Sequence, residues 1–370
     1  MNRVRARELG LPLPGTPGAN NAITDVDGVW VGYQTLDGTA ENGRPIKTGV
    51  TAIVPRGASP QPVPTWAGFH ALNGNGEVTG THWIEQGGYF VGPVCLTNSH
   101  SVGIAHHAST RWLLDRYAGV YQAHHLWAMP VVAETYDGVL NDINGQHVDE
   151  DNVRSALDSA TDGPVAEGNV GGGNGMICYG FKGGTGTSSR RVWVDESDYT
   201  VGVLVQANHG KRDWLTVCGR PVGPALAQPD EPAELNRERG SIIAIIATDA
   251  PMLPHQLKRL AQRAGLGVAR GGSPGGNDSG DMFLAFTTAN DGPLPQLAPA
   301  HRSLAYLNDE SFDPFYMAAV EATEEAVLNA MLMAEGAVMH KPHGWCPALD
   351  GSRLTTALRD AGLETSAPQR

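Results

Sequence analysis

The sequence predicts an α/β protein in which stacked sheets are covered by helices. Three observations predict it: strand-like and helix-like stretches come in mixed order along the 370 residues, hairpins are concentrated early, and the long helices are concentrated late. The length allows one large domain or two ordinary ones, and an apolar fraction of 41% fits a soluble globular chain. Forty-seven glycines and 25 prolines call for many tight turns, while 7 Phe and 9 Tyr leave aliphatic side chains to make most of the core.

Taken in order, residues 1 to about 20 read as an extended arm, loose or packed on a neighbouring subunit. From Ala22 onward, alternating runs such as Val29–Tyr33 and Gly49–Val54 are separated by Asp-Gly and Asn-Gly pairs, which is hairpin grammar. Val102, Ala105, Trp112, Leu113 and Tyr117 place a helix between Ser101 and Val120. A second helix is expected over Asp149–Ala160, where Val153, Ala156, Leu157 and Ala160 recur at helical spacing behind an acidic first turn. Strands are expected at Val131–Tyr136 and Tyr199–Gln206. The glycine-rich stretch Gly171–Ser189 lacks the glycine-Lys-Ser/Thr element of a phosphate loop and reads as strands with tight turns beside the site. Arg220–Arg239, rich in proline and charge, reads as an exposed connector.

Beyond it the apolar run Ser241–Asp249 is a buried strand. It leads into a helix whose apolar face is Leu257, Leu260, Ala261, Ala264 and Val268, stopped by Gly271-Gly272. Met282–Thr287 makes another strand, and Asp313-Pro314 caps a long helix running to about Glu335, with Gly336 placed to end it.

A net charge of −13 argues against a general nucleic-acid or anionic-membrane binder. Cys95, Cys178, Cys218 and Cys346 are widely separated, as expected of reduced thiols, so disulfides are not expected. No secretory signal opens the chain and no apolar run reaches membrane-spanning length, which points to the cytoplasm. The pairs His106-His107 and His124-His125 are adjacent, so their side chains point apart, and no H-E-x-x-H occurs; a metal aminopeptidase is disfavoured. No G-x-S-x-G elbow follows a strand, which disfavours a Ser-His-Asp hydrolase.

The most informative stretch is Arg237–Asp249, where Gly240-Ser241 stands at the mouth of the buried strand. A strand mouth holds a serine hydroxyl rigidly, and the preceding glycine leaves its carbonyl approachable. Attack of Ser241 Oγ on the Gly240 carbonyl would give an ester by N-to-O acyl shift, and hydrolysis would cut the chain. The released α-amine of Ser241, with an ordinary pKa of roughly 7.7–8.0, would then serve as base for its own hydroxyl. Taken alone, the dipeptide favours an ordinary turn into a core strand.

Longer words narrow the choice. Gly240–Pro254 with His255–Leu260, Asn277–Asp281, Gly92-Pro93-Val94 with Thr97–Gly103, Glu134–Gly138 with Leu140–Asn144, and Gly202–Asn208 together resemble the DmpA/BapA family of L-aminopeptidase/D-Ala-esterase/amidases and β-peptidyl aminopeptidases. The resemblance runs from about Asn21 to about Pro347. It implies a four-layer α-β-β-α sandwich, like the N-terminal-nucleophile hydrolases in layering but not in topology. It implies fragments 1–240 and 241–370 folded as one domain after cleavage at Gly240-Ser241, assembled as a tetramer of processed heterodimers, with no cofactor and no metal.

The same resemblance makes Ser241 the nucleophile. Ser279 and Asp281 become supports for that nucleophile and its amine, with Asp281 where some relatives carry Glu. Asn208 becomes the oxyanion donor, Tyr136 a tyrosine near the nucleophile, and Glu134 the acid that holds the substrate's ammonium. On a strand Glu134 and Tyr136 would face the same way. Read without the resemblance, Ser279 and Asp281 are loop caps, Asn208 a turn residue and Glu134 a surface acid. The expected activity is that of a self-processing serine aminopeptidase acting on small peptides, amides or esters. The alternatives are an acyltransferase of the ornithine acetyltransferase type and an uncleaved, non-catalytic homologue.

Overall fold

The computed structural model describes residues 3–57, 59–228, 231–238 and 240–365 of the unbroken chain. Two sheets form its centre. The six-stranded one runs, edge to edge, Tyr89–Phe90, Thr65–Gly74, Gly280–Thr287, Ile242–Thr248, Ser197–Ala207 and Gly184–Val194. The four-stranded one runs Trp30–Thr39, Pro45–Val54, Val94–Asn98 and Val131–Thr135. Its first two strands are the early hairpin, turned at Asn42-Gly43, where Gly43 takes φ +79°.

Burial alternates along the strand after Ser241. Ile242, Ala244 and Ile246 join the core formed with the helices, whereas Ile243, Ile245 and Ala247 join residues of the facing sheet such as Ile53, Leu96 and Ala133. All seven strand residues are buried, and each isoleucine so removed from water contributes about 1.5–3 kcal/mol. Helices Pro254–Arg270 and Asp313–Leu332 cover the outer face of the six-stranded sheet, and Val102–Arg116 and Glu150–Asp158 cover that of the four-stranded one. The order is therefore α-β-β-α, as expected. Asp149 caps the helix Glu150–Asp158 with a reciprocal bond to Asn152.

Several expectations need correction. The N-terminal arm packs on its own chain: Ala6, Leu11 and Leu13 are buried, Arg7 reaches Glu325 at 3.0 Å, and Arg5 donates to the Thr187 carbonyl at 2.7 Å. These arginines have partners, in the long helix and the edge strand, that lie far away in sequence, which is why the sequence alone reads the arm as loose or packed on a neighbour. That helix spans Asp313–Leu332 with Phe312 at its N-cap, so it stops before Glu335 and without using Gly336. The segment Gly171–Gly175 is a 3-10 turn rather than strand. No helix among the described residues is long and apolar enough to cross a membrane.

Candidate active site

Strand register brings the central residues together. Ile242–Thr248 pairs in parallel with Gly280–Thr287, Ile242 opposite Asp281, which sets Ser241 beside Gly280. On its other side the strand pairs antiparallel with Ser197–Ala207, Ala207 opposite Ile242, and the next step of that ladder is the bond from Asn208 N–H to the Ser241 carbonyl at 3.1 Å. Ser241 is thus held by main chain on both flanks.

The hydroxyl is fixed as well. Ser241 Oγ accepts from the Gly280 N–H at 3.1 Å, a donor that orients the oxygen and favours its anion. Gly280 can be nothing else, because a Cβ there would lie 2.2 Å from the Asn75 carbonyl. Gly240 is under a tighter constraint: a Cβ would stand 1.5 Å from the Asn208 carbonyl and 2.6 Å from Asn208 Nδ2. The scissile-bond candidate is therefore pressed against Asn208 by a residue that only glycine can satisfy.

Asn208 itself is 5% exposed and clamped at both ends of its amide. Its Oδ1 accepts from the Ile177 N–H at 2.8 Å, and its Nδ2 donates to the Tyr136 carbonyl at 2.9 Å. The amide orientation is thereby set, with one of the two Nδ2 hydrogens assigned to that carbonyl. Ser279 and Asp281 are buried, and the Ser279 hydroxyl donates to Asp281 Oδ1 at 2.7 Å. Burial pushes the Asp281 carboxyl above the ordinary aspartate range, while the Ser279 hydroxyl and the Ile242 backbone draw it part of the way back. Its second oxygen, Oδ2, is buried without a hydrogen-bond partner.

Glu134 is placed differently. It sits in the four-stranded sheet opposite Thr97, and its carboxylate accepts from the Ser99 hydroxyl and from the Glu77 N–H, the latter at 2.9 Å. Burial raises its pKa, and those two donors oppose the rise. The loop Gly74–Glu77 links it to the surroundings of Ser241: the Asn75 carbonyl packs on Gly280, and Gly76 packs on Glu134 Oε1. Tyr136 lies beyond the end of the strand, and its ring is 43% exposed and folds over Gly138. Glu134 is buried, and the strand stops at Thr135, so the alternation expected to carry Glu134 and Tyr136 to one face does not reach Tyr136.

An open pocket borders the Gly240 side of this assembly, lined among others by Tyr136, Ile177, Asn208, Leu235, Gly240 and Pro342. Leu235 belongs to the connector, which was expected to be exposed. The described connector residues before Ser241 are instead held down at intervals. Glu231 pairs with buried Arg212 at 2.8 Å, Leu235 packs with Leu140, Met339 and Cys346, and Asn236 donates to Asp213 at 2.8 Å. Glu238 accepts from the Gly210 N–H at 3.2 Å. Charge-rich composition reads as solvated, but the Arg212 guanidinium is already stacked on Phe181 at 3.5 Å and tied to backbone carbonyls, and so offers Glu231 a fixed partner. Pro229, Asp230 and Arg239 lie outside the described residues.

Among the described residues no three metal-ligating side chains converge. Sequence reasoning missed the Gly280 N–H, the Ser99 hydroxyl and Glu238. Gly280 stood inside the quoted word Asn277–Asp281, but a backbone donor leaves no mark in residue chemistry.

Comparison with known proteins places the chain in a family. Peptidase family S58 matches residues 21–343. A curated β-peptidyl aminopeptidase, BapA of Sphingosinicella microcystinivorans, is 50% identical over 348 residues, covering 90% of this chain and 86% of the relative. The solved L-aminopeptidase D-Ala-esterase/amidase of Ochrobactrum anthropi, described as a prototype for the serine aminopeptidases and a new variant among the Ntn hydrolase fold, superposes with a TM-score of 0.92. It is 55% identical, covering 97% of this chain and 99% of that one. A β-aminopeptidase from a Burkholderia species superposes with a TM-score of 0.87 at 45% identity, covering 98% of this chain and 100% of that one.

Proposed function

Because the chain belongs to peptidase family S58 and is a serine aminopeptidase, we propose that it activates itself by cutting Gly240–Ser241 and then works through the Ser241 hydroxyl and the new Ser241 amine. The observation that carries the reading is the pairing of a clamped Ser241 Oγ with a Gly240 that has no room for a side chain beside Asn208.

In the self-cleavage step Ser241 Oγ bonds to the Gly240 carbonyl carbon. The carbon–nitrogen bond breaks, and the hydroxyl proton ends on the departing nitrogen. Water then hydrolyses the ester, leaving a Gly240 carboxylate and a free Ser241. In turnover the α-amine takes the proton from Oγ as it attacks the substrate carbonyl, and the charge that develops on oxygen falls to the Asn208 amide. The leaving amine departs with that proton, and water releases the acyl group. Asp281, with Ser279 on one oxygen, acts as counter-ion to the ammonium form of Ser241. Glu134 takes the free ammonium of small peptides, amides or esters. An N-acylated substrate would lose both charge and hydrogen bonds there. The acyltransferase alternative is not favoured, since the relatives found are aminopeptidases.

The experiment is an intact-mass spectrum of freshly purified protein under denaturing conditions. Fragments ending at Gly240 and starting at Ser241 are expected; one unbroken, peptidase-active chain would sink the reading. Association into a tetramer of cut chains belongs to the same proposal. Exposed Trp193, Leu266 and Met317 offer apolar surface for it, and native mass spectrometry reads it directly.

A further inference from the structure

The unbroken chain holds a buried carboxyl group that this chemistry leaves without a task. Glu238 precedes Ser241 by three residues and is 8% exposed. Its Oε1 accepts from the Gly210 N–H at 3.2 Å. Its Oε2 presses on Gly276 so closely that a Cβ there would fall 1.4 Å away.

Those two contacts belong to different halves of the site. Gly210 follows Asn208 by two residues, and Gly276 precedes Ser279 by three. Asp281 reaches the same glycine-rich loop, its unpartnered Oδ2 standing 3.2 Å from where a Cβ of Gly275 would be. Two buried carboxyl groups therefore meet consecutive glycines, one from the chain before the scissile bond and one from the strand beside it. The charged groups facing Glu238 are Asp281 and Asp278 from that loop and strand, and Lys211 from the turn after Gly210. Asp281 in turn faces the Ser279 hydroxyl and the buried Tyr179 phenol.

We propose that Glu238 is a positioning residue for self-cleavage: its carboxyl group clamps the segment that carries Asn208 to the loop that carries Ser279 and Asp281, holding Gly240–Ser241 between them. The proposal rests on the self-cleavage reading above. Without the clamp the oxyanion donor and the nucleophile's supports move independently, and a displacement near 1 Å at a reacting centre costs about 100-fold in rate. The clamp is needed once. Cutting creates an ammonium group at Ser241 that gives Asp281 a positive partner, and Glu238 is then on the severed side of the bond.

The test follows cleavage of pulse-synthesised full-length chain diluted into buffers from about pH 5 to 9, read by intact mass. Glu238→Ala, which removes the clamp, is expected to slow cutting about 10-fold or more at neutral pH. Glu238→Gln keeps an acceptor for the Gly210 N–H and the same reach toward Gly276. It is expected to cut within about 3-fold of the unsubstituted chain. A Gln variant as slow as Glu238→Ala overturns the clamp.

Glu238→Ala cutting as fast as the unsubstituted chain overturns the clamp. So does a loss of cutting accompanied by loss of the cooperative melt in Ser241→Ala chain carrying Glu238→Ala, which makes Glu238 a folding residue instead. The unsubstituted chain, run in parallel, tests the parent reading on its own: if it stays whole, self-cleavage at Ser241 fails and the clamp falls with it.

Discussion

On the six-stranded sheet the proposed reactive groups are placed by main chain: Ser241 is bonded to Asn208 through its carbonyl and to Gly280 through its hydroxyl, and Asp281 stands opposite Ile242 in a parallel ladder. On the four-stranded sheet Glu134 is placed by side-chain and loop contacts, from Ser99 and from the Glu77 N–H, and Tyr136 lies past the strand end. The sheets are joined by Gln206, whose amide donates to the Thr97 carbonyl and the Thr135 hydroxyl, and by Asn208 on the Tyr136 carbonyl. The difference separates two tasks. On the proposed roles, making and breaking the acyl bond falls to the first sheet, whereas choosing a substrate with a free amine falls to the second.

The largest expected effect lies on the first sheet. Ser241→Ala should abolish both chain cutting and peptide hydrolysis, a loss on the order of 10⁴-fold or more. Intact mass and release of an amino acid from a small peptide amide check it, and survival of either activity would remove Ser241 from its role. Gly240→Ala comes next. With its Cβ forced to within 1.5 Å of the Asn208 carbonyl, either the bond or Asn208 must move, and cutting should slow by about 100-fold or more. A time course of fragment appearance measures it; ordinary cutting would mean that the Asn208 contact does not hold the bond.

Glu134→Gln sharpens the contrast because it acts on one task alone. Loss of a charged hydrogen bond to an ammonium costs about 1.5–3 kcal/mol, so kcat/KM for a free-amine substrate should fall roughly 10- to 100-fold, chiefly through KM. Cutting at Gly240–Ser241 should continue, since that bond presents no free amine before it breaks. Burial raises the Glu134 pKa, so the unsubstituted enzyme should lose affinity as pH falls through that raised value. The Gln variant should lack this limb. If it fails to cut itself, the division of labour between the sheets is wrong.

The same contrast accounts for what was legible in the sequence. Strand Ile242–Thr248 and helix Pro254–Arg270 carry their own periodicity and punctuation, and they stand as expected within a residue or two. The early hairpin forms too, but its strands run on to Thr39 and back from Pro45, so Asp37-Gly38 lies within a strand rather than at a turn. Local pattern reached the strands that carry Ser241 and Asn208, while their proposed roles came from the longer words of the resemblance, not from the residues alone. The four-stranded side was less readable. Glu134 depends on Ser99 and Glu77, far away in sequence, and the end of its strand at Thr135 broke the period-two expectation for Tyr136. The connector misled for a related reason: nothing in the words around Glu231 and Glu238 shows that Arg212 and Gly210 will meet them.

The smallest effect probes the junction itself. His209 lies between Asn208 and Gly210 and is 1% exposed, edge-on to Tyr179, with Nδ1 3.7 Å from the Cys178 sulfur and Nε2 unpartnered. Burial pushes its pKa down to about 3. In the unfolded chain the imidazole binds its proton near pH 6.5, so below that value the unfolded state holds more protons than the folded one. The stability contribution is therefore complete above pH 6.5 and is lost progressively as pH falls toward the folded value. Urea unfolding at pH 7.5 and 5.5 should show a decline that His209→Phe, which keeps a ring against Tyr179, reduces by about 1 kcal/mol. Equal declines in both proteins would mean that water reaches the imidazole. The segment that presents Asn208 to the other sheet would then be looser than its hydrogen bonds imply, and main-chain placement would end at Ala207.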